Sequence, residues 1–335
     1  MAETTSTHLS FPDNSAFMAL CGPQDAYLQQ VASALGVHIA ARGQQVVVSG
    51  EDDAVHDAKV VLEDLYDLVA KGRVLDDQQV EAALRVHNGL LSAEDVRPRD
   101  VLADLVVSTP RKNVAPRSVM QRDYLEALLT HDLTFGLGPA GTGKTYLATA
   151  VAVAGIKEKQ FKKLVLTRPV VEAGERLGFL PGTLEEKIDP YLRPFFDALE
   201  DMLGKDTLEK WKAQGVVEVA PLAYMRGRTL EQCCMVLDEA QNTTPGQMRL
   251  FLTRMGQGSK MIVTGDLSQT DLPKGQPNGL AEAVKLLGHI SGVTSITFQP
   301  EDVVRHPLVA RIVNALDAED RQGEILQGQS VKSKL

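Results

Sequence analysis

The octapeptide GPAGTGKT, at residues 138–145, limits what this chain can fold into more than any other stretch. It matches G-x-x-x-x-G-K-[ST], follows the strand-like run DLTFGL and opens a helical pattern, which is the context that a phosphate-binding loop requires. Backbone N–H groups and the positive end of the helix would surround the phosphates, while Lys144 reaches the β- and γ-phosphates and the Thr145 hydroxyl ligates Mg²⁺. The alternative is a glycine-rich turn that only caps a helix, and the flanking elements favour the phosphate loop. The predicted nucleotide-binding residues of this loop are Gly138, Pro139, Ala140, Gly141, Thr142, Gly143, Lys144 and Thr145.

Six strand-like runs lie beyond residue 118 and alternate with helical patterns. Such alternation predicts an α/β fold in which helices cover both faces of a mostly parallel sheet. The runs are DLTFGLG, KKLVLTRP, VVEVAP, CCMVLDE, KMIVTGD and VTSITFQ.

Two adjacent acids, Asp238 and Glu239, end the fourth of these runs. A phosphate loop needs a carboxylate on a neighbouring strand for the Mg²⁺ shell and a second group beside it for the attacking water. We expect Asp238 to hold Mg²⁺ through water and Glu239 to polarise the nucleophile. The competing interpretation is a helix start, because TPGQ at 244–247 is a capping box with proline at the first helical position. That box leaves both acids unexplained at the mouth of a buried strand, where unpaired charge is costly.

The following strand ends in VTGDLSQTDLP and adds two more candidates, Asp266 and Gln269. Both would lie near the γ-phosphate or at its edge, where they could sense whether it is present. A role as turn residues is the alternative, and it is stronger for Gln269 than for Asp266.

Charge divides the chain near residue 110. Residues 1–110 contain 7 basic and 17 acidic residues, a net of −10, whereas residues 111–335 contain 28 and 27, a net of +1. An acidic first part repels nucleic acid, so contact with a phosphate backbone needs a local basic patch or the second part. The predicted boundaries are a tail over 1–15, a small α/β domain over 16–75, a helical connector and linker over 76–118, the phosphate-loop domain over 119–320 and a flexible tail over 321–335.

Neither a signal peptide nor a membrane span is predicted, because the start of the chain has no hydrophobic run and the longest apolar stretches are short. We therefore expect a cytoplasmic protein without membrane contact. The cysteines are Cys21, Cys233 and Cys234, and two of them are adjacent within an apolar run. This placement suits buried reduced thiols better than disulfides or a zinc site.

Seven motifs in order resemble the PhoH family of ATPases, most closely its YbeZ-type members, over about residues 110–318. They are GPAGTGKTYLA, TRPVVEAGERLGFLPG, YMRGRT, LDEAQN, FLTRMG, VTGD and EDVVRHPLV. The resemblance implies a RecA-like P-loop NTPase core related to superfamily 1 helicases, with ATP and Mg²⁺ as cofactors and a role in RNA metabolism. It also implies a partner endoribonuclease of the YbeY type, acting in ribosomal RNA maturation.

The N-terminal domain is similar to the KH-like domain of the same subfamily. Its loop, expected to read G-x-x-G, is GPQD at 22–25, and Asp25 would oppose a nucleotide backbone. Both RNA contact and a role in oligomerisation or partner docking therefore stay open for this domain. By the same resemblance, Gln121 matches the glutamine that pairs with the N6 and N7 edge of adenine, and an exposed helical glutamine is the alternative.

Several arginines are candidates for phosphate contacts. The chain has room for one RecA-like lobe, so an arginine that stabilises the transferring phosphoryl group must come from within the lobe or from a neighbouring subunit. We therefore expect a homo-oligomeric ring, a hexamer, with ATP at the interfaces. Arg305 is the first catalytic candidate, Arg254, Arg226 and Arg228 are the next, and Arg168, Arg176, Arg226 and Arg228 are candidates for RNA contact.

Three functions fit these residues. The favoured one is a Mg²⁺-dependent ATPase that performs work on RNA or on an RNA-bound complex. The second is a P-loop kinase for a small molecule, which Glu239 beside Asp238 argues against, since that pair suits water as acceptor. The third is a switch in which ATP controls assembly or recruitment of a partner nuclease without motor activity.

Overall fold

The computed structural model describes residues 4–89, 97–99, 105–169, 184–273 and 275–303. Within the first range, three strands form an antiparallel sheet in the order β1-β3-β2, and four helices accompany it. In chain order the elements are β1 (Thr4–Ser10), α1 (Asn14–Cys21), α2 (Ala26–Leu35), β2 (His38–Arg42), β3 (Gln45–Glu51), α3 (Asp52–Ala70) and α4 (Asp77–Gly89).

Strand β1 corrects the predicted N-terminal tail over residues 1–15. It pairs antiparallel with β3 along its whole length, from Thr4 opposite Glu51 to Ser10 opposite Gln45. The segment TTSTHLS escaped prediction because only Leu9 of this outer strand carries a large apolar side chain into the core. A polar edge strand lacks the hydrophobic alternation that identifies strands in a sequence.

Helix α4 also departs from prediction, because it packs on the N-terminal core and not in a separate connector. Val80, Ala83 and Leu84 of this helix are buried together with residues of α2 and α3. The first unit of the structure therefore extends beyond residue 75. Its assignment as a KH-like domain stays a prediction.

The second unit is built on a six-stranded sheet in which every strand pair is parallel, in the order β11-β6-β10-β9-β7-β8. All six predicted strands are confirmed. They are β6 (Leu133–Leu137), β7 (Lys163–Arg168), β8 (Val217–Pro221), β9 (Cys233–Leu237), β10 (Lys260–Gly265) and β11 (Val293–Thr297). A short antiparallel pair, β4 (Val107–Ser108) and β5 (Asn113–Val114), precedes them.

Helices lie on both faces of this sheet, as predicted for a buried parallel sheet. Successive strand residues alternate between two cores: Cys234 and Val236 pack on one face, and Cys233, Met235 and Leu237 on the other. Helices α5 (Val119–Thr130), α6 (Lys144–Lys157), α7 (Leu184–Leu203) and α8 (Lys205–Ala213) cover the first face, and α9 (Pro245–Leu252) and α10 (Gly279–Leu287) cover the second. Within the described ranges, no helix combines the length and apolarity needed to cross a bilayer.

Strand order decides what meets at the carboxyl edge of the sheet. Strands β6, β10, β9 and β7 are consecutive neighbours, so the residues that follow them lie side by side. These are Gly138 after β6, Asp266 after β10 and Asp238 after β9, with Arg168 at the end of β7. Ligand sites of open α/β sheets form at this edge.

Candidate active site

The loop between β6 and α6 curls around the side chain of Lys144. Gly138 has φ of 123°, which a side chain would strain, and the backbone there lies against the Phe298 carbonyl. The Lys144 Nζ donates to the carbonyl oxygens of Gly138 at 2.7 Å and Pro139 at 2.6 Å. Burial lowers the pKa of Lys144, and the carboxylates across the cavity oppose that shift. A phosphate oxygen in this loop would compete with the carbonyl groups for the ammonium protons.

Asp238 receives two hydroxyl donors on one carboxylate oxygen. The Thr145 Oγ1 donates to Asp238 Oδ1 at 2.8 Å, and the Thr264 Oγ1 donates to the same atom at 2.5 Å. The first contact joins the start of α6 to the end of β9, and the second joins β9 to β10. Asp238 is therefore held beside the phosphate loop, although β10 lies between β9 and β6, so its strand is not the direct neighbour that the sequence argument assumed. Its role toward Mg²⁺ stays a prediction.

A Mg²⁺ ion fits this donor set. One carboxylate and one hydroxyl converge at the mouth of the phosphate loop, and Mg²⁺ prefers oxygen ligands while retaining several waters. Asp266 lies at the same cavity with 8% of its surface exposed, and its Oδ2 has no hydrogen-bond partner within the described part of the chain. A buried, unpaired carboxylate oxygen is costly, so a water of the metal shell would supply the missing donor.

Glu239 has a left-handed backbone, with φ of 52°, that turns its side chain into the cavity. Both carboxylate oxygens are engaged: Oε1 lies 3.1 Å from the Arg168 guanidinium, and Oε2 accepts from the Gln241 amide at 2.5 Å. The Gln241 Oε1 in turn accepts from the Asp266 N–H at 3.0 Å. Gln241 thus ties the end of β9 to the end of β10.

The cavity around these groups has a volume of about 600 Å³. Asp266 lines this cavity as a buried residue and Gln269 as an exposed one, and contact of either residue with a γ-phosphate stays a prediction. A neighbouring cavity of about 530 Å³ shares Gly141, Gly143 and Tyr146 with the first. Together they offer adjoining space for phosphates and for a nucleoside.

Gln121 lines the second cavity but is engaged by the protein itself. Its Oε1 accepts from the Arg117 N–H at 2.7 Å, and its Nε2 donates to the Thr142 carbonyl at 3.0 Å. Only 4% of its surface is exposed, so the alternative of an exposed helical glutamine is wrong. The two hydrogen bonds of Gln121 therefore connect the segment before α5 to the phosphate loop. Contact between Gln121 and adenine stays a prediction.

The candidate arginines separate into different places. Arg168 lies in the cavity against Glu239, whereas Arg228 forms a two-bond pair with Glu218 on β8, at 2.5 and 2.9 Å. The Arg254 guanidinium donates to the Arg228 carbonyl at 2.8 Å. Arg226 is exposed on the loop after β8. Arg176, Arg305 and the tail 321–335 lie outside the described residues.

Sequence reasoning missed two residues that hold the site together, Gln241 and Thr264. Helix α9 begins at Pro245 with Thr244 as its cap, and residues 240–242 form a separate 3₁₀ turn that contains Gln241. The position of the capping box could have shown that Gln241 precedes the helix. Thr264 could have been found as a buried hydroxyl in an otherwise apolar strand next to the one that ends at Asp238.

Comparisons with known proteins agree with the motifs. A family model described as PhoH-like protein matches residues 113–317. The chain is 47% identical over 314 residues to a PhoH-like protein of Bacillus subtilis (strain 168), covering 93% of this chain and 97% of that protein. It is 42% identical over 319 residues to a PhoH-like protein of Synechocystis sp. (strain ATCC 27184 / PCC 6803 / Kazusa), covering 95% and 96%. Among solved structures, T4 UvsW aligns over 71% of this chain and 44% of its own at 15% identity and a TM-score of 0.35, too weak a likeness to bear on the fold.

Proposed function

Because the chain belongs to the PhoH family, we propose that it is a Mg²⁺-dependent ATPase whose hydrolysis serves RNA metabolism. The observation that carries the proposal is the 2.8 Å contact between Thr145 and Asp238, with Glu239 beside it. This contact joins a phosphate loop to the carboxylate pair that hydrolysis requires. A glycine-rich turn or a simple helix start needs no such convergence.

In this proposal, the residues of the candidate site have defined tasks. Lys144 and the N–H groups of its loop bind the β- and γ-phosphates and stabilise the charge that develops during transfer. Thr145 would be a ligand of Mg²⁺ and Asp238 would hold the ion through water, and the ion would neutralise phosphate charge. Glu239 accepts a hydrogen bond from the attacking water, and Asp266 is placed to sense the γ-phosphate.

RNA and protein partners extend the proposal beyond the nucleotide site. The family resemblance supports RNA as the object of the work and an endoribonuclease of the YbeY type as a partner. Because the N-terminal third is acidic, we expect RNA contact in the second unit. Arg168 and Arg226 are candidates there that lie among the described residues. In the switch alternative, ATP turnover controls assembly of such a complex without unwinding or translocation.

We also propose that subunits associate around the nucleotide in a homo-hexameric ring. Within the described part of the chain, Arg228 and Arg254 are engaged with Glu218 and with backbone oxygens, and a neighbouring subunit in a ring could supply a further arginine to the phosphates. Native mass measurement with an ATP analogue and a short RNA should give six times the chain mass. A monomer under all these conditions would contradict the shared site.

Phosphate release tests the central proposal. The wild type, incubated with ATP and Mg²⁺ but no acceptor, should release inorganic phosphate. Glu239→Gln should lower kcat by about 100-fold or more, with little effect on nucleotide binding, because the neutral amide is a poor base of the same shape. The exposed Glu282→Gln is the matched control and should leave turnover unchanged.

Two outcomes would redirect the proposal. No phosphate release from the wild type in the absence of an acceptor would defeat hydrolysis and favour the kinase. Turnover that supports neither unwinding nor translocation of RNA would favour the assembly switch.

A further inference from the structure

An ion pair inside the candidate site connects its proposed base to a residue with no catalytic assignment. Arg168 ends β7, and its guanidinium lies 3.1 Å from Glu239 Oε1. The two residues follow adjacent parallel strands, with Thr167 in register with Leu237, and the Asp238 N–H donates to the Thr167 carbonyl at 3.0 Å. The backbone thus fixes Arg168 opposite Glu239.

This pairing occupies the carboxylate that must act on water. One oxygen of Glu239 contacts Arg168 and the other accepts from Gln241. Gln241 is 2% exposed and is held by the Asp266 N–H, so its contact is the more rigid of the two. The contact between Glu239 and the Arg168 guanidinium must therefore break first for Glu239 to turn toward water.

The exposure of the pair suits a contact that can be exchanged. The Arg168 side chain is 24% exposed and that of Glu239 is 37% exposed. Ion pairs with this much solvent contact are weak, so a competing anion can displace the carboxylate. An arginine fork binds phosphate with two parallel hydrogen bonds, which makes a nucleic-acid backbone a strong competitor.

We propose that Arg168 is a positioning residue that holds Glu239 back from the attacking water until the phosphate backbone of single-stranded RNA takes over its guanidinium. The catalytic half of this inference rests on the proposed ATPase function. The binding half does not, because competition between Glu239 and RNA for Arg168 exists without hydrolysis. The coupling between the two contacts of Arg168 is reciprocal. If RNA binding frees the Glu239 carboxylate, removal of that carboxylate must strengthen RNA binding.

A double-mutant cycle on RNA binding tests the competition directly. The probe is a fluorescein-labelled 20-nucleotide poly(U), titrated by anisotropy without nucleotide against the wild type, Glu239→Gln, Arg168→Met and the double variant. Methionine retains the apolar stem of arginine without its donors. We expect Glu239→Gln to tighten binding by about two- to fivefold in the wild-type background and not at all in the Arg168→Met background.

Turnover tests the catalytic half with the same proteins. Arg168→Met should raise kcat without RNA by about the same two- to fivefold, abolish stimulation by poly(U), and leave KM for ATP unchanged. Arg168→Lys keeps the charge but not the forked donors, so its kcat without RNA should lie between those of Arg168→Met and the wild type. The exposed Arg249→Gln on α9 controls for loss of a surface charge and should match the wild type.

The outcomes separate this inference from the proposed function. Equal tightening by Glu239→Gln in both backgrounds, or no poly(U) binding by any of the four proteins, overturns the competition. A fall in kcat for Arg168→Met overturns the restraint and makes Arg168 a direct contributor to charge stabilisation. If the wild type releases no phosphate while the binding cycle behaves as expected, the ATPase proposal fails and the competition stands.

Discussion

Replacing Gln121 by leucine would remove the two hydrogen bonds that hold the phosphate loop against the segment before α5. The wild-type amide joins the Arg117 N–H to the Thr142 carbonyl, with bonds of 2.7 and 3.0 Å. Leucine is similar in size but has neither donor nor acceptor. Because Gln121 is only 4% exposed, water has little access to the two backbone groups that lose their partner.

The expected cost follows from those two bonds. A net hydrogen bond contributes about 0.5–1.5 kcal/mol, and a buried backbone group left unpaired costs about 1–3 kcal/mol. Arg117 is half-buried and regains some hydration, so we expect a loss of about 2–4 kcal/mol in the unfolding free energy of the second unit. The loop proposed to bind phosphates would also lose its fixed shape, so we expect the affinities for ATP and for GTP to fall by a similar factor, about five- to tenfold.

Urea unfolding and nucleotide titration measure the two effects. Trp211, the single tryptophan, packs against the core of the second unit and reports its unfolding by fluorescence. Gln121→Glu keeps the acceptor for the Arg117 N–H but sets a buried carboxylate against the Thr142 carbonyl, so it should destabilise the unit at least as much as Gln121→Leu. If Gln121→Leu leaves the unfolding free energy unchanged and lowers the affinity for ATP but not for GTP, the side chain contacts adenine and does not stabilise the loop.

Two further changes test other contacts of the same unit. Gly138→Ala places a Cβ 2.4 Å from the Phe298 carbonyl at φ of 123°, so it should destabilise the unit by about 3 kcal/mol or more in urea titrations, and a wild-type midpoint would refute the clash. The hydrogen bonds from Arg228 lower the pKa of Glu218 to about 2, so the paired carboxylate stabilises the fold above its unfolded pKa and loses that contribution as the pH falls toward 2. Glu218→Gln should therefore flatten the pH dependence of the unfolding free energy between about pH 4.5 and pH 2, and an unchanged slope would count against the pair.

Local sequence patterns identified the parts of the site that depend on neighbours along the chain. The phosphate loop, the acid pair after β9 and all six strands of the sheet each carry their signal within a few residues, because strand alternation and glycine spacing are local properties. The outer strand β1 carried no such signal, since a polar edge strand buries one large side chain only. Helix α4 was separated from its domain because its sequence pattern predicts a helix but not the helices, α2 and α3, on which it packs.

Strand order decided which residues meet at the carboxyl edge of the sheet. The sequence by itself predicted a nucleotide site with Lys144, Asp238 and Glu239, since residue type and spacing carry that signal. Only the tertiary structure placed β7 next to β9, and with it the Arg168 guanidinium against Glu239. The order of strands in a parallel sheet results from the packing of connections distant in sequence, so no local pattern encodes which residue lies beside Glu239.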